Sequence, residues 1–469
     1  MDMKCLDLPI LFFLIFSVTL SAHAEAQNVL QKLKEIWEDP VLQESLDANI
    51  KANRMGDFYI VFDKKVENAR IEQIEHEFLF GAYASRTIAK GLKYQDYSEE
   101  QIDKYASLYK NLFNYGTVAV VWKRIEPERG KMRWDYSNDK NIDISLDKNP
   151  TVTQPDIALK FCEDNSIAVK GHCLSWMIST EHFIPEWAIG LKESEVENAL
   201  TQNIDNISQR YSKRISIWDV VNEAADYIQP NAVAYHDYIF KAFEEAKRTL
   251  GTNSTFLINE TSAAWEQYCK NGETGRYYLL IKELISRGAK VDAIGLQFHI
   301  FGEGEWKNIL AGKQYTPYQL QKALSGYASL QRPIHITEIT IPSSREGGED
   351  AQAYYAKNVY KLWFANPNVE AITWWNMRDG QAAPNEKHLQ GGLLRADLTK
   401  KPIYYALDEL INKQWHTCVD YKTPVSRIHI NAFYGKYRIT YSLDGKEYNK
   451  EIWLEKKSDR MKKIATSSR

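Results

Sequence analysis

Glu223 and Glu338 each close an apolar, β-branched run of sequence, and a pair of carboxyl groups held on rigid strands is what acetal cleavage requires. One carboxylic acid protonates the departing oxygen while a carboxylate meets the anomeric carbon, so the two pKa values must be driven apart. Groups suited to hydroxyl binding and charge tuning accompany them. Asn222 precedes Glu223 and can reach a sugar hydroxyl, and His299 falls within reach of either carboxylate. His172, Trp176, Gln297 and Trp375 end other apolar runs. Glu260 competes for a place in the pair, because Asn259-Glu260 repeats Asn222-Glu223 and spacing alone does not choose between them. A single glutamate at a strand end is more often an ion-pair partner; two in this company argue for a site. No Asp-rich or His-rich cluster accompanies these residues, so a mechanism without metal or cofactor is expected.

Positioning such residues calls for a repeated scaffold. Runs rich in β-branched and aromatic residues occupy 78–84, 112–118, 168–176, 215–223, 255–260, 292–300, 333–341 and 370–379. Amphipathic stretches such as 193–211, 235–250, 274–287 and 351–364 fill the gaps between them. Eight β-then-α units predict an α/β protein, a (β/α)8 barrel over 78–416. An open doubly wound sheet would place a glycine-rich phosphate turn after its first strand, and Phe78–Arg86 does not supply one. In a barrel the chemistry sits at the carboxyl ends of the strands, where the residues named above fall.

Composition narrows the function classes. The chain has 469 residues, with Lys+Arg 59 against Asp+Glu 62, so no positive excess is available to grip nucleic acid. Its 13 tryptophans fit either a large core or rings lining a sugar cleft. Residues 1–24 read as a signal peptide: Lys4, the apolar run 8–20, then Ala22-His23-Ala24. The run is too short to span a bilayer, so the expectation is an exported protein, periplasmic or extracellular, with no membrane span after cleavage. Four cysteines remain beyond Cys5, without metal-ligand spacing, and a Cys162–Cys173 bridge is left open. Residues 25–77 read as a helical and β-rich extension. Residues 417–469 read as a small β-rich cap, with a hairpin turn at Asp444-Gly445 and a solvated, frayed basic tail over 456–469. Phe433, Tyr434 and Trp453 there could serve a small core or bind sugar.

Ordered segments carry a resemblance. Gly171-His172-Cys173-Leu174-Ser175-Trp176 with Pro185-Glu186-Trp187, then Trp218-Asp219-Val220-Val221-Asn222-Glu223, then Gly295-Leu296-Gln297-Phe298-His299 follow one another. Ile336-Thr337-Glu338-Ile339, Thr373-Trp374-Trp375-Asn376 with Asp379, and Lys401-Pro402 complete the series. Together they resemble glycoside hydrolase family 10, the retaining endo-β-1,4-xylanases, in a divergent branch with β extensions at both ends. The resemblance implies Glu223 as acid/base, Glu338 as nucleophile, and His172, Trp176, Asn222, Gln297, His299 and Trp375 as sugar contacts. It also implies a substrate-side or structural place for Glu260. Departures accompany it. Val118 and Val121 stand where the family has the Asn and Lys that bind non-reducing-side sugars. Met177 replaces a His, Asn376 a Gly, and Ala382-Ala383 a Trp. The expected partner is therefore a polysaccharide, xylan or a decorated xylan, bound by a monomer. The same machinery on another β-linked polysaccharide and a non-catalytic carbohydrate-binding protein on the enzyme fold are the alternatives.

Overall fold

The computed structural model describes residues 27–86, 88, 97–134, 154–177, 183–225, 237–457 and 459–466. The expected signal segment, with Cys5 and the Ala22-His23-Ala24 site, lies outside them. So do the first residues of the 235–250 stretch and the last three of the chain.

Two strands, β1 (Met55–Val66) and β2 (Asn68–His76), lead into a series of eight parallel strands. These are β3 (Leu79–Tyr83), β4 (Tyr115–Ala119), β5 (Ala168–Ser175), β6 (Ile217–Asn222), β7 (Thr255–Glu260), β8 (Ala293–His299), β9 (Ile334–Thr340) and β10 (Val369–Trp374). They close into a barrel in chain order, β10 pairing with β3 so that Ala371 faces Leu79. Every residue of β4, β8 and β9 is buried, as expected of parallel strands covered by helices outside and filled by side chains within. All eight predicted runs thus become barrel strands, within a few residues of the expected ends.

Glycine decides two close approaches in the barrel wall. A Cβ on Gly171 would lie 2.2 Å from the Trp218 ring, and one on Gly295 2.5 Å from Asn259 Oδ1. The first lets β5 lie against β6 beside His172. The second leaves the Asn259 amide room to turn into the barrel. At the opposite end, Arg54 closes the helix Pro40–Arg54 by donating to the carbonyls of Phe364, Asn366 and Val369 at 2.6, 2.5 and 2.7 Å. Its guanidinium satisfies backbone acceptors at the end of helix Gly348–Ala365, just ahead of β10.

The two termini build one further unit. β11 (Cys418–Tyr421), β12 (Val425–Phe433), β13 (Gly435–Leu443), β14 (Lys446–Leu454) and β15 (Met461–Ile464) join β1 and β2 in two sheets, ordered β12-β1-β15 and β11-β2-β13-β14. The sheets share a core of Phe58, Ile60, Phe62, Ile71, Tyr437 and Ile439. Asp444 and Gly445 both take positive φ, 54° and 68°, the two-residue turn expected between β13 and β14. Phe433 and Tyr434 are buried, whereas Trp453 is 37% exposed.

The basic tail departs from expectation. Over 461–466 it is not frayed: Met461–Ile464 pairs with β1 as a parallel strand, Ile464 is buried, and the Thr466 amide donates to Asp63 Oδ1 at 2.9 Å. One apolar anchor and a row of backbone hydrogen bonds suffice for an edge strand whose charged side chains face outward, so lysine density concealed the pairing. Cys162, Cys173, Cys269 and Cys418 are free thiols, and no bridge joins Cys162 to Cys173. Among the described residues no helix is long and apolar enough to cross a membrane.

Candidate active site

The eight residues singled out from sequence converge at the carboxyl end of the barrel. Strand register brings them there. Asn222 lies opposite Asn259 across β6 and β7, and Gln297 lies opposite Glu338 across β8 and β9. Just past β6, Glu223 adopts φ 54°, a left-handed conformation that costs a residue bearing Cβ about 1–3 kcal/mol. Its surroundings hold it. The Glu223 amide donates to Asn259 O at 2.8 Å, and the next turn is pinned where the Ala225 amide donates to Glu260 Oε2 at 2.7 Å. The Thr261 amide donates to Glu260 Oε1 at 3.0 Å. Glu260 therefore anchors the backbone around Glu223. The second member of the repeated pair is a positioning residue, as the resemblance allowed.

Asn259, the other half of that repeat, reaches the carboxylates instead. Its Nδ2 donates to Glu338 Oε1 at 2.8 Å and to Asn222 Oδ1 at 2.7 Å, while its Oδ1 accepts from Thr337 Oγ1 at 2.5 Å. Gln297 Nε2 donates to Glu223 Oε1 at 2.8 Å and to Glu338 Oε1 at 3.2 Å. One amide nitrogen thus touches both carboxylates, and those two oxygens cannot be farther apart than the two distances laid end to end, about 6 Å. Trp176 Nε1 donates to the remaining Glu223 oxygen at 3.2 Å, and His299 Nε2 lies 3.2 Å from the remaining Glu338 oxygen.

These contacts drive the two acids apart. Burial, then the negative charge of Glu338, pushes Glu223 up to about 7. Burial also acts on Glu338, but the His299 hydrogen bond and the charges of His172, His299 and Lys170 outweigh it and hold that carboxyl below the usual glutamate range. Glu223 retains partial exposure to the cleft, whereas Glu338 is buried. Near neutral pH the first is an acid within reach of substrate and the second a carboxylate fixed by three donors.

A layer beneath the pair was not picked out from sequence. Lys170 Nζ lies 2.6 Å from Asp219 Oδ2 with both side chains buried, and His172 Nδ1 lies 2.8 Å from the same oxygen. Burial raises and the Lys170 and His172 contacts lower the Asp219 carboxyl, with a net fall. The signal was present: Lys170 stands two residues before His172 on one strand, hence on the same inward face. His172 Nε2 and Asn222 Nδ2 remain buried without a partner among the described residues, an arrangement a ligand's hydroxyls would complete.

The opposite wall is apolar. Tyr83, Ala119, Val121 and Trp375 form one cluster, with Trp176 and Phe183 packed against it. Tyr83 stacks on Trp375 at 4.2 Å and Phe183 on Trp176 at 3.4 Å. Trp375 meets His172 and His299 edge-on at 5.6 and 6.0 Å. Trp374, its neighbour, is fully buried and donates to Gly391 O at 2.9 Å. Trp122, Trp218, Trp265 and Trp363 are buried in the core, with Trp134 and Trp187 packed against it. Among the described residues no group of three His, Cys, Asp or Glu side chains is placed to hold a metal ion.

Known proteins are similar to this chain in sequence and fold. The chain is 27% identical over 329 residues to endo-1,4-beta-xylanase B of Thermotoga neapolitana, a match covering 66% of this chain and 84% of that protein. It is 25% identical over 413 residues to anti-sigma-I factor RsgI6 of Acetivibrio thermocellus, covering 84% of this chain; it spans only 46% of that relative's length. Among solved structures, xylanase 10B from Thermotoga petrophila RKU-1 in complex with xylobiose superposes with a TM-score of 0.55 at 25% identity, covering 72% of this chain and 95% of that one. A family model described as glycosyl hydrolase family 10 matches residues 79–410, and with its closed eight-stranded barrel the chain belongs to that family.

Proposed function

We propose that the chain is an endo-acting glycoside hydrolase that cleaves β-1,4-xylosidic bonds in xylan or decorated xylan with retention of configuration. The observation that carries this is the Gln297 amide touching both carboxylates, because a separation of about 6 Å or less between their nearest oxygens suits direct attack. Inverting enzymes keep their carboxyl groups roughly 6.5–9.5 Å apart to admit a water. Glu338 attacks the anomeric carbon while Glu223 gives its proton to the departing sugar oxygen. Glu223, now a carboxylate, takes a proton from the water that releases the glycosyl-enzyme. Asn259, Gln297 and His299 hold Glu338, and His172 and Asn222 keep polar atoms free for the sugar. The test is release of reducing sugar from xylan by the purified chain, with the first-formed anomer read by NMR; an inverted first product, or no hydrolysis of any xylan, overturns the reading.

A second reading keeps the mechanism and changes the polymer. It is favoured by Val118 and Val121, which are buried where polar sugar contacts were expected from the resemblance. A panel of β-glucans and mannans beside xylans separates the two. A non-catalytic glycan binder would turn over none of them. Export is proposed on the apolar run 8–20 and Ala22-His23-Ala24, and cell fractionation tests it.

A further inference from the structure

A row of rings leads outward from the catalytic carboxylates and ends on a cation. Trp375 lies beside His172 and His299, Tyr83 stacks on Trp375, and the guanidinium carbon of Arg86 sits 5.3 Å from the Tyr83 ring centroid. Arg86 follows β3, at the carboxyl end of the barrel. Its Nη1 donates to Asn376 Oδ1 at 2.9 Å, which sets the orientation of the planar group. Among the described residues the guanidinium has no other partner: Nε is sealed from solvent without an acceptor, and no carboxylate pairs with this arginine.

An arginine held against aromatic rings, oriented by one hydrogen bond and lacking a counter-ion among the described residues, is a half-finished binding site. The Nη1–Nη2 end, away from the sealed Nε, matches the two oxygens of a carboxylate, and a planar fork of this kind recognises that shape in a way a lysine does not. We propose that Arg86 binds the carboxylate of a uronic acid substituent carried by the glycan in the cleft, and so selects acidic over neutral chains. The inference rests on the reading that the cleft holds a glycan. It adds a specificity-determining residue beyond the groups that surround the scissile bond.

The experiment compares the full chain with Arg86→Gln and Arg86→Lys on a xylan bearing uronic acid side groups and on the same polymer after its carboxyl groups have been reduced to alcohols. The wild type is expected to show about tenfold higher kcat/KM on the acidic polymer, the ordinary contribution of a charge-assisted hydrogen bond. That ratio falls to about one in Arg86→Gln, while Arg86→Lys, which keeps the charge but not the fork, recovers only part of it. A wild-type ratio near one, or a ratio unchanged in Arg86→Gln, overturns the proposal. So does full recovery by lysine, since charge alone would then explain the preference. If the wild type cleaves neither polymer, the xylan reading fails on its own. Calorimetric binding of an acidic xylo-oligosaccharide and its neutral counterpart then decides the role of Arg86: discrimination lost in Arg86→Gln supports it, and equal binding of the two by the wild type overturns it. Should Arg86→Gln melt early, the wild-type and Arg86→Lys ratios decide in its place: a preference for the acidic polymer that lysine only partly restores supports the role, and no preference or full restoration overturns it.

Discussion

The two sides of the barrel mouth are built on different principles. On the side formed by β6 to β9, almost every polar atom near the carboxylates has a partner in the protein. Glu338 alone meets Asn259, Gln297 and His299. On the side formed by β3, β4 and β10, Tyr83, Ala119, Val121 and Trp375 present ring faces and methyl groups, and the cation at its edge lacks a counter-ion among the described residues. A hydrogen-bonded network fixes position and charge, which bond cleavage demands. An apolar wall fixes little besides shape, so it can change with the polymer without disturbing the chemistry. Substitutions on the first side should therefore strike turnover, and those on the second should strike binding.

The sharpest test removes Glu338, the proposed nucleophile. Glu338→Ala is expected to lower kcat by at least about 10⁴-fold, as loss of a nucleophile does elsewhere, with substrate binding retained. Reducing-sugar release and calorimetric binding read the two effects separately. Residual turnover within tenfold of wild type would dissolve the distinction between the sides.

Glu260→Gln comes next, and it probes position without touching substrate. Glu260 accepts from two backbone amides, those of Ala225 and Thr261. A glutamine can accept with one oxygen only and turns a second donor toward an N–H group. The turn that holds Glu223 at positive φ should loosen, costing roughly 10–100-fold in kcat with KM little changed. A change confined to KM would place Glu260 among the sugar contacts instead.

The pH profile follows from the opposed shifts. Glu223 must be protonated to act, and it is raised to about 7, so kcat/KM should fall as pH rises through about 7. Glu338 must be ionised, and it is lowered from 4.5, so activity should persist down to and below that pH before falling. In Glu338→Gln the neighbouring charge is gone but burial, the larger cause, remains. Glu223 should then titrate below 7 yet above an ordinary glutamate, as a carboxyl-labelled NMR titration would show. Titration at the ordinary glutamate value would mean that burial contributes nothing.

The barrel was legible because its signal is repeated. Eight apolar runs, each followed by room for a helix, leave few alternatives, and the proposed catalytic residues stand out by ending those runs. The layer below them was harder to read. Lys170 and Asp219 are charges inside apolar strands, and their meaning depends on meeting across β5 and β6, a register that sequence does not display. Why Glu260 stays out of the carboxylate pair was equally hidden, since adjacent residues on a strand face opposite ways and only the assembled barrel shows that Asn259 faces the pair. The tail misled for the reverse reason: Met461–Ile464 owes its place to backbone pairing with β1, to which side-chain composition contributes one isoleucine. Arg86 carried no readable signal, because a lone arginine after a strand is ordinary until its partners are counted.

The smallest expected effect tests the apolar wall itself. Tyr83 stacks on Trp375 at 4.2 Å and makes the wall continuous from the catalytic centre outward. An aromatic pair of this kind contributes about 0.5–1.5 kcal/mol beyond the area it buries. Tyr83→Ala should therefore raise KM for a neutral oligosaccharide between about two- and tenfold, by leaving Trp375 free to tilt. Turnover should hold, because the network around Glu338 is closed by Asn259, Gln297 and His299 without the Tyr83 ring. Initial-rate kinetics on an oligosaccharide series separates KM from kcat. A hundredfold fall in kcat at constant KM would show that the ring also positions the catalytic pair, and the two sides of the mouth would then be a single machine.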